Sequence, residues 1–229
     1  ELKERNSRLE QFTYVISHNL RGPLSRIQGL ANILDLADNE VEMKDISGKM
    51  SMSTRDLDRV VQDLATITEI RNINTKAFST VNLSTILNRV VKLLESEIKE
   101  AGALVNIQLA VSTLQSFSTY MESIFYNLIS NAIKYRKEKD QPVIFVESYQ
   151  RNERIIMKVS DNGVGIDLEK YGTALFLPYK RFHHHVEGRG LGLYLVKSQV
   201  ETLGGTLEIN SRPDEGTTFI LSFPVVANV

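Results

Sequence analysis

The stretch Asn-Leu-Ile-Ser-Asn-Ala-Ile-Lys-Tyr, residues 127–135, decides how the second half of the chain is interpreted. It lies in a segment from Thr119 to Arg136 whose apolar residues recur at helical spacing, so we predict a helix there. On a helical wheel, its polar residues fall within about 100° of one another, and a binding face or an ordinary solvated face explains them equally well. These polar residues are Asn127, Asn131, Lys134 and Tyr135. The opposite side should build the core through Met121, Phe125, Leu128, Ile129 and Ala132.

The segments around this helix predict a mixture of helices and strands. Further helices are expected at Leu83–Ala101 and Gly190–Leu203, and the second should end at Gly204 and Gly205. Because helices and antiparallel strands occur in separate runs, the fold class is α+β, with an α/β sandwich. The predicted strands are Leu104–Val111, Val143–Tyr149, Arg154–Ser160, Thr206–Ser211 and Thr217–Phe223.

The first part of the chain carries two long helical patterns. The first has apolar residues seven apart at Leu2, Leu9 and Ile16, which is typical of a coiled coil, and its apolar stripe continues to Leu34. The second is predicted from about Val41 to Ile70, with a seam that alternates four and three apart. That seam comprises Ile46, Met50, Ser53, Leu57, Val60, Leu64 and Ile67.

The turn formers Asp38 and Asn39 separate these two patterns, which predicts an antiparallel helical hairpin. Two helices alone bury little apolar surface, so we expect the hairpin to pair with its copy as a homodimeric four-helix bundle. The polar, aperiodic residues 72–80 predict a domain boundary. We therefore divide the chain into residues 1–74 and residues 75–229.

Composition excludes several classes of protein. The 27 Lys and Arg residues balance 28 Asp and Glu residues, so we expect no nucleic-acid partner. The chain has no cysteine, which excludes disulfides and thiolate metal sites and is compatible with the cytosol. No apolar run reaches the roughly 18 residues of a membrane span. The chain begins at Glu1 within a helical pattern, so we expect a cytoplasmic fragment of a protein that continues upstream, and membrane attachment of the full-length protein stays open.

His18 lies in Ser-His-Asn-Leu-Arg-Gly-Pro-Leu, residues 17–24. It is two positions from both Ile16 and Leu20, so its imidazole should face solvent. Pro23 removes an amide hydrogen, which should bend the helix close to the histidine. From the residues alone, a surface histidine beside a structural kink remains the simpler interpretation.

Two glycine-containing segments follow. Asp161-Asn-Gly163-Val-Gly165-Ile166 comes directly after a predicted strand, where a tight turn is the plain alternative. The second segment, residues 188–193, opens the last helix, where glycines let backbone amides approach phosphates, although a flexible hinge is the plain alternative. It reads Gly188-Arg189-Gly190-Leu191-Gly192-Leu193. It is neither a Walker A loop nor a dinucleotide motif.

Residues 17–24 resemble the phospho-acceptor box of sensor histidine kinases, Ser-His-acidic-Leu-Arg-Thr-Pro-Leu, at six of eight positions. Residues 127–135 look like the asparagine box of the Bergerat-type ATPases, a superfamily that includes these kinases. Residues 161–166 and 188–193 resemble its two glycine boxes, and residues 175–182 resemble its phenylalanine box. The boxes occur in the family order and cover nearly the whole chain.

The resemblance implies ATP and Mg²⁺ as cofactors and assigns roles to individual residues. It implies that Asn131 holds Mg²⁺ through its carbonyl oxygen, while Asn127 and Lys134 approach the phosphates. Tyr135 would flank the adenine, and Asp161 would accept a hydrogen bond from its exocyclic amine. Nucleotide contacts are also implied for Gly163, Gly165, Ile166, Leu175, Lys180, Arg181, Gly188, Arg189, Gly190, Leu191, Gly192 and Thr217.

The implied reaction is phosphorylation of His18 by ATP, followed by transfer to an aspartate of a response-regulator receiver domain. In this interpretation His18, Asn19 and Arg181 are the catalytic residues, with Arg181 expected at the γ-phosphate. The segment up to Glu187 would be the ATP lid. His183, His184 and His185 lie in that lid, where three consecutive side chains rarely converge on one metal ion.

The sequence departs from the family at two positions beside His18. Relatives carry an acidic residue where this chain has Asn19, and an amide cannot take a proton, so we expect phosphorylation to be slower by about 10²-fold. Gly22 replaces the Thr or Asn that positions water for removing phosphate from the receiver, which makes phosphatase activity doubtful. Arg189 replaces a small residue and could either crowd the phosphates or add a charge to them.

Two rival functions remain open at this point. The departures at Asn19 and Gly22 would also suit a catalytically weak scaffold or a signal-binding dimer. A hydrolytic ATPase driven by clamp closure is the other rival, although the His18 hairpin before the ATPase domain counts against it. The input signal, the cognate receiver and transfer within or between chains are not determined by the sequence.

Overall fold

The computed structural model describes residues 17, 20–34, 39–70, 78–179 and 190–225. The chain divides into two compact units, Glu1–Glu69 and Ile70–Val229. The boundary predicted after residue 74 falls in residues 71–77, outside the described residues, so its place stays a prediction. The fold class is α+β as predicted, with helices in the first unit and a mixed sheet with helices in the second.

Two helices lie in the described part of the first unit, α1 over residues 20–34 and α2 over Glu40–Ile70. The side-chain oxygen of Asn39 accepts a hydrogen bond from the Glu42 amide at 2.9 Å, which caps the first turn of α2. Of the five seam residues whose side chains are described, Ile46, Ser53 and Val60 are buried at 5–7% exposure, while Met50 and Leu57 are only half-buried. The predicted seam is therefore confirmed in part. The coiled-coil entrance at residues 2–16 and most of the predicted turn lie outside the described residues.

The second unit is built on a five-stranded sheet ordered β2-β4-β5-β7-β6. Only β2 runs parallel to its neighbour β4, while the other described pairings are antiparallel, so the sheet is mixed and not purely antiparallel. The strands are β2 Leu104–Leu109, β4 Val143–Arg151, β5 Arg154–Asp161, β6 Thr206–Arg212 and β7 Gly216–Pro224. A separate antiparallel pair joins β1 Ser79–Asn82 to β3 Thr113–Ser116, which the sequence did not predict.

The longer helices of this unit bury their apolar faces in one core with the sheet. The predicted helix Leu83–Ala101 is two helices, because the backbone leaves helical geometry at Leu94, whose side chain is 1% exposed. All five residues expected in the core of the helix containing residues 127–134 are buried. The helices are α3 Leu83–Leu93, α4 Glu95–Ala101, α5 Ser118–Lys134, α6 Leu168–Tyr171 and α7 Gly192–Thr202.

Helix α7 ends as predicted, since Gly204 adopts a left-handed backbone at φ 73° and Gly205 donates to the carbonyl of Val200 at 2.9 Å. At the start of α3, Asn82 accepts hydrogen bonds from the amide and hydroxyl of Thr85, at 2.9 and 3.2 Å, and so caps the helix. The C-terminus of α7 and the N-terminus of α3 are therefore both capped by hydrogen bonds.

Substituting Asn82→Ala should lower the free energy of unfolding by about 1 kcal/mol, because the N-cap bond is lost while the helix stays in place. Urea denaturation followed by circular dichroism measures the change. Thr85→Val is the matched control, since it removes the hydroxyl contact but keeps the backbone cap. An equal loss in both variants would contradict the role of Asn82 as the cap.

Candidate functional site

A row of polar side chains crosses the helix-facing side of the sheet at one end. The strand register places Asp161 of β5 beside Thr217 of β7, and Thr217 beside Ser211 of β6. The next inward row is apolar, with Val159 beside Phe219 and Phe219 beside Ile209. We call Asp161, Thr217 and Ser211 the polar row. Its position, directly where the chain leaves β5, makes it a candidate binding surface.

The carboxylate of Asp161 organises the loop that follows it. Its Oδ1 accepts hydrogen bonds from the amide of Gly163 at 2.8 Å and from the amide of Thr217 at 3.3 Å. Burial raises the pKa of the Asp161 carboxyl above its ordinary value of 3.8, and these two amide donors oppose the rise. Its Oδ2 accepts no hydrogen bond from the described residues, so it can receive one from a ligand.

The loop after Asp161 is too close to its neighbours for side chains. A Cβ atom on Gly163 would lie 2.5 Å from the carbonyl oxygen of Tyr135, and one on Gly165 would overlap the carbonyl oxygen of Arg212. Gly165 also has a φ of 66°, which favours glycine. The glycines in this loop therefore serve close backbone packing, whatever ligand is bound.

The C-terminal end of α5 meets the same loop. The carbonyl of Tyr135 accepts a hydrogen bond from the amide of Val164 at 3.0 Å. Asn162, which sequence reasoning passed over, anchors the loop to the start of β4, because its side chain accepts from the Val143 amide at 2.8 Å and donates to the Gln141 carbonyl at 2.9 Å. The structure thus brings Tyr135, Asp161 and Gly163 together.

The other end of the polar face of α5 meets the start of α7. The amide nitrogen of Asn127 donates to the Ser123 carbonyl at 2.8 Å, which fixes the orientation of its carboxamide. A Cβ atom on Gly192 would lie 2.7 Å from Asn127 Oδ1, so a larger residue there would force the Asn127 carboxamide to move. Gly190 has a φ of 71°, and Leu191 is 4% exposed.

Asn131 lies between these two contacts and is partly exposed, as is Tyr135, while Lys134 is exposed. Within the described part of the chain the Asn131 side chain makes no hydrogen bond, so its carbonyl oxygen is available. The described residues hold no group of three acidic, histidine or cysteine side chains that could cage a metal ion. A single amide oxygen suits Mg²⁺, which keeps most of its water and takes further oxygens from phosphates.

Several predicted site residues lie outside the described residues and stay predictions. These are His18, Asn19, Lys180, Arg181, Gly188 and Arg189. His183, His184 and His185, to which the sequence assigned no site role, also lie outside the described residues. Leu175 is described and is 2% exposed, which leaves little of its surface for a ligand. Ile166 contributes its backbone amide, which donates to Ser211 Oγ at 2.8 Å.

Sequence reasoning missed Ser211. Its hydroxyl joins the glycine loop to the turn between β6 and β7, by bonds to Ile166, Gly216 and Thr217. The signal was present in β6, because its inward positions run Leu207, Ile209, Ser211, and a polar residue occupies the last of them. Only the register of β6 against β7 shows what that residue touches.

Two family models match the chain. The His Kinase A (phospho-acceptor) domain matches residues 8–73, and the histidine kinase-, DNA gyrase B- and HSP90-like ATPase matches residues 118–227. The chain belongs to the histidine kinases. The order of the two matches, phospho-acceptor hairpin and then ATPase, is that of a sensor histidine kinase catalytic core.

Relatives and solved structures resemble this histidine kinase core over nearly its whole length. Cyanobacterial phytochrome A of Nostoc sp. PCC 7120 is 27% identical over 98% of this chain, which spans 30% of that relative. The structure of Acinetobacter baumannii histidine kinase AdeS aligns with 92% of this chain over 98% of its own length, with a TM-score of 0.68 and 23% sequence identity. The structure of histidine kinase ThkA in complex with response regulator protein TrrA aligns with 98% of this chain over 64% of its own length, with a TM-score of 0.70 and 20% sequence identity. The structural likeness supports the fold.

The kinase core has no helix, among those described, that is long and apolar enough to cross a membrane.

Substituting Gly165→Ala should destabilise the ATPase unit far more than Gly102→Ala. The two glycines have similar backbones, with φ of 66° and 61°, so both variants carry a left-handed cost of about 1–2 kcal/mol. An added Cβ meets nothing within 4 Å at Gly102 but overlaps the Arg212 carbonyl at Gly165. Free energies of unfolding in urea measure the difference, and equal losses would show that the close packing is not limiting.

Substituting Asp161→Asn should raise the thermal unfolding midpoint near neutral pH and abolish ATP binding. The folded-state pKa of Asp161 is raised, so its ionised form destabilises the fold above that pKa, and a neutral amide relieves the cost. The gain should disappear as the pH falls through the raised pKa toward 3.8. Asparagine keeps an oxygen for the two amides but places a donor where Oδ2 was.

Differential scanning calorimetry across this pH range and titration calorimetry with ATP measure the two effects. Asp140→Asn, in the exposed loop before β4, is the matched control and should leave ATP affinity unchanged. Retained ATP affinity in Asp161→Asn would contradict the assignment of the carboxylate to the base.

Proposed function

We propose that this chain catalyses ATP-dependent phosphorylation of His18 and transfer of the phosphoryl group to an aspartate of a response-regulator receiver domain. One observation carries the proposal: a phospho-acceptor domain match that includes residue 18 precedes, in the same chain, an ATPase match whose range includes Asp161. A neutral imidazole nitrogen is a competent nucleophile near pH 7, and its phosphoramidate remains reactive enough to pass the group on.

The nucleotide is proposed to lie along the polar face of α5. Asp161 Oδ2 would accept from the adenine amine at one end, and Asn127 would meet the phosphates at the start of α7. Asn131, between them, would hold Mg²⁺ through its free amide oxygen, and the ion would neutralise phosphate charge during transfer. Tyr135, Lys134, Thr217 and the glycine loops would complete the site.

The phosphoryl transfer is proposed to break the bond between the γ-phosphorus and its bridging oxygen while the imidazole nitrogen forms a new bond to that phosphorus. ADP leaves, and the imidazole proton must be lost to a base. Asn19 cannot accept it, so water or another group must, which is why we expect slow turnover. Arg181 is proposed to stabilise the negative charge on the γ-phosphate.

The hairpin is proposed to be the dimer interface. Its described residues expose large apolar side chains, including Ile33 at 51%, Met52 at 63% and Val61 at 51%, more than an isolated hairpin in water would favour. Pairing with a second copy would bury them in a four-helix bundle. Consumption of ATP supports a cytoplasmic location, and an upstream sensory module is proposed as the source of the signal.

The helix surface around position 18 is compatible with a docking receiver. Arg21, Gly22 and Ser25, which lie three, four and seven positions after His18, are all exposed. A Cβ atom on Gly22 would meet nothing within 4 Å, so a larger residue fits there without strain. Gly22 is therefore a position where the proposed lack of phosphatase activity can be tested by substitution.

The labelling experiment tests the function. Incubation with γ-labelled ATP should give acid-labile, base-stable phosphate on the full chain, and His18→Ala should remove it. Asn19→Glu should increase the initial rate by about 10²-fold, because a carboxylate can take the imidazole proton. Gly22→Thr should leave labelling near the parent rate but accelerate loss of phosphate from a phosphorylated receiver.

The outcomes separate the rival functions. Label that persists in His18→Ala would refute the assignment of the acceptor. An unlabelled parent that is rescued by Asn19→Glu would favour a scaffold. Release of free phosphate that His18→Ala leaves unchanged would favour a hydrolytic ATPase.

A further inference from the structure

The hydroxyl of Ser211 has three polar partners at hydrogen-bond distance. The amide of Ile166 lies at 2.8 Å, the carbonyl of Gly216 at 2.8 Å and the hydroxyl of Thr217 at 2.9 Å. A serine hydroxyl has one proton to donate and two lone pairs to accept with. All of its hydrogen-bonding capacity is therefore used within the fold.

The partners determine where each proton goes. The Ile166 amide can only donate, so it takes one lone pair of Ser211, and the Gly216 carbonyl can only accept, so it takes the Ser211 proton. The remaining contact joins two hydroxyl oxygens, and Ser211 has no second proton for it. Thr217 must therefore donate its own proton to Ser211.

Because Thr217 donates its only hydroxyl proton to Ser211, its hydroxyl can only accept a hydrogen bond from any other partner. Thr217 is beside Asp161 in the register, and cross-strand neighbours of this kind have Cβ atoms about 5 Å apart. Asp161 Oδ2, when ionised, is also an acceptor only. The polar row therefore presents acceptors and no hydroxyl donor.

We propose that Ser211 is a specificity-determining positioning residue: by taking the Thr217 proton, it makes the polar row accept bases that present an amino group and reject bases that present a carbonyl at that position. The inference rests on the proposed ATP site and deepens it. If a carbonyl oxygen of the base faced an acceptor of the polar row, neither atom could donate a hydrogen bond to the other. Both would be buried without a partner, which is costly.

The experiment compares ATP with inosine triphosphate, which carries a carbonyl in place of the adenine amine. Titration calorimetry on the full chain should show that the parent prefers ATP. In Ser211→Ala the Thr217 proton is released and can turn to the carbonyl, so the ratio of the two dissociation constants should fall about tenfold, the equivalent of one hydrogen bond. Ser211→Thr, which keeps a hydroxyl, should restore the parent ratio.

A double variant isolates the mechanism. Adding Thr217→Val to Ser211→Ala removes the released donor, so the improved binding of inosine triphosphate should be lost. A purely structural role for Ser211 would weaken both nucleotides equally and leave their ratio unchanged, and that result would overturn the proposal. A parent that binds neither nucleotide would instead overturn the proposed function.

A measurement on the unaltered protein covers the case in which Ser211→Ala does not fold. The Thr217 hydroxyl proton should exchange slowly enough to be seen by nuclear magnetic resonance and should lie close to the β-protons of Ser211. A Ser211 proton directed at Thr217, with none at the Gly216 carbonyl, would overturn the proposal.

Discussion

The hydrogen bonds accepted by the Asp161 carboxylate are the interaction on which the site depends. One oxygen, Oδ1, holds the amide of Gly163 in the loop and the amide of Thr217 in the neighbouring strand. Burial penalises the charge, and the two amides compensate it in part. The remaining oxygen accepts no hydrogen bond from the described residues, so in the proposed site the group that costs stability when ionised would also recognise the base.

The backbone around this carboxylate is packed too closely for ordinary side chains. A Cβ atom on Gly163 would clash with the carbonyl of Tyr135, and one on Gly165 would clash with the carbonyl of Arg212. A Cβ atom on Gly216 would clash with the carbonyl of Asp161 itself. The glycines thus let the end of α5, the loop after β5 and the turn before β7 meet at one place. Substitution at any of them would move the polar row before it affected a ligand directly.

The helices could be predicted from the sequence because their apolar residues recur at a regular local spacing. The core face of α5 follows the helical period and was confirmed, and the heptad seam of α2 was confirmed at Ile46, Ser53 and Val60. Pairing direction and register are not encoded locally, which is why the parallel pairing of β2 and the short β1–β3 sheet were missed. The role of Ser211 was missed for the same reason, since its partners are contributed by two other segments, the loop after β5 and the start of β7.

The start of α7 shows how a polar group in the core can fix the geometry of a distant site. Gln199 is 2% exposed, and its amide donates to Ser123 Oγ at 3.0 Å, while its Oε1 has no partner among the described residues. A buried unsatisfied oxygen costs about 1–3 kcal/mol, so an apolar residue would be more stable there. The hydrogen bond of the glutamine is directional, so it fixes the position of α7 along α5. Apolar packing alone would let the two helices slide past one another. Ser123 also accepts from Asn127 through its carbonyl, so this register determines how closely Gly192 approaches the asparagine face.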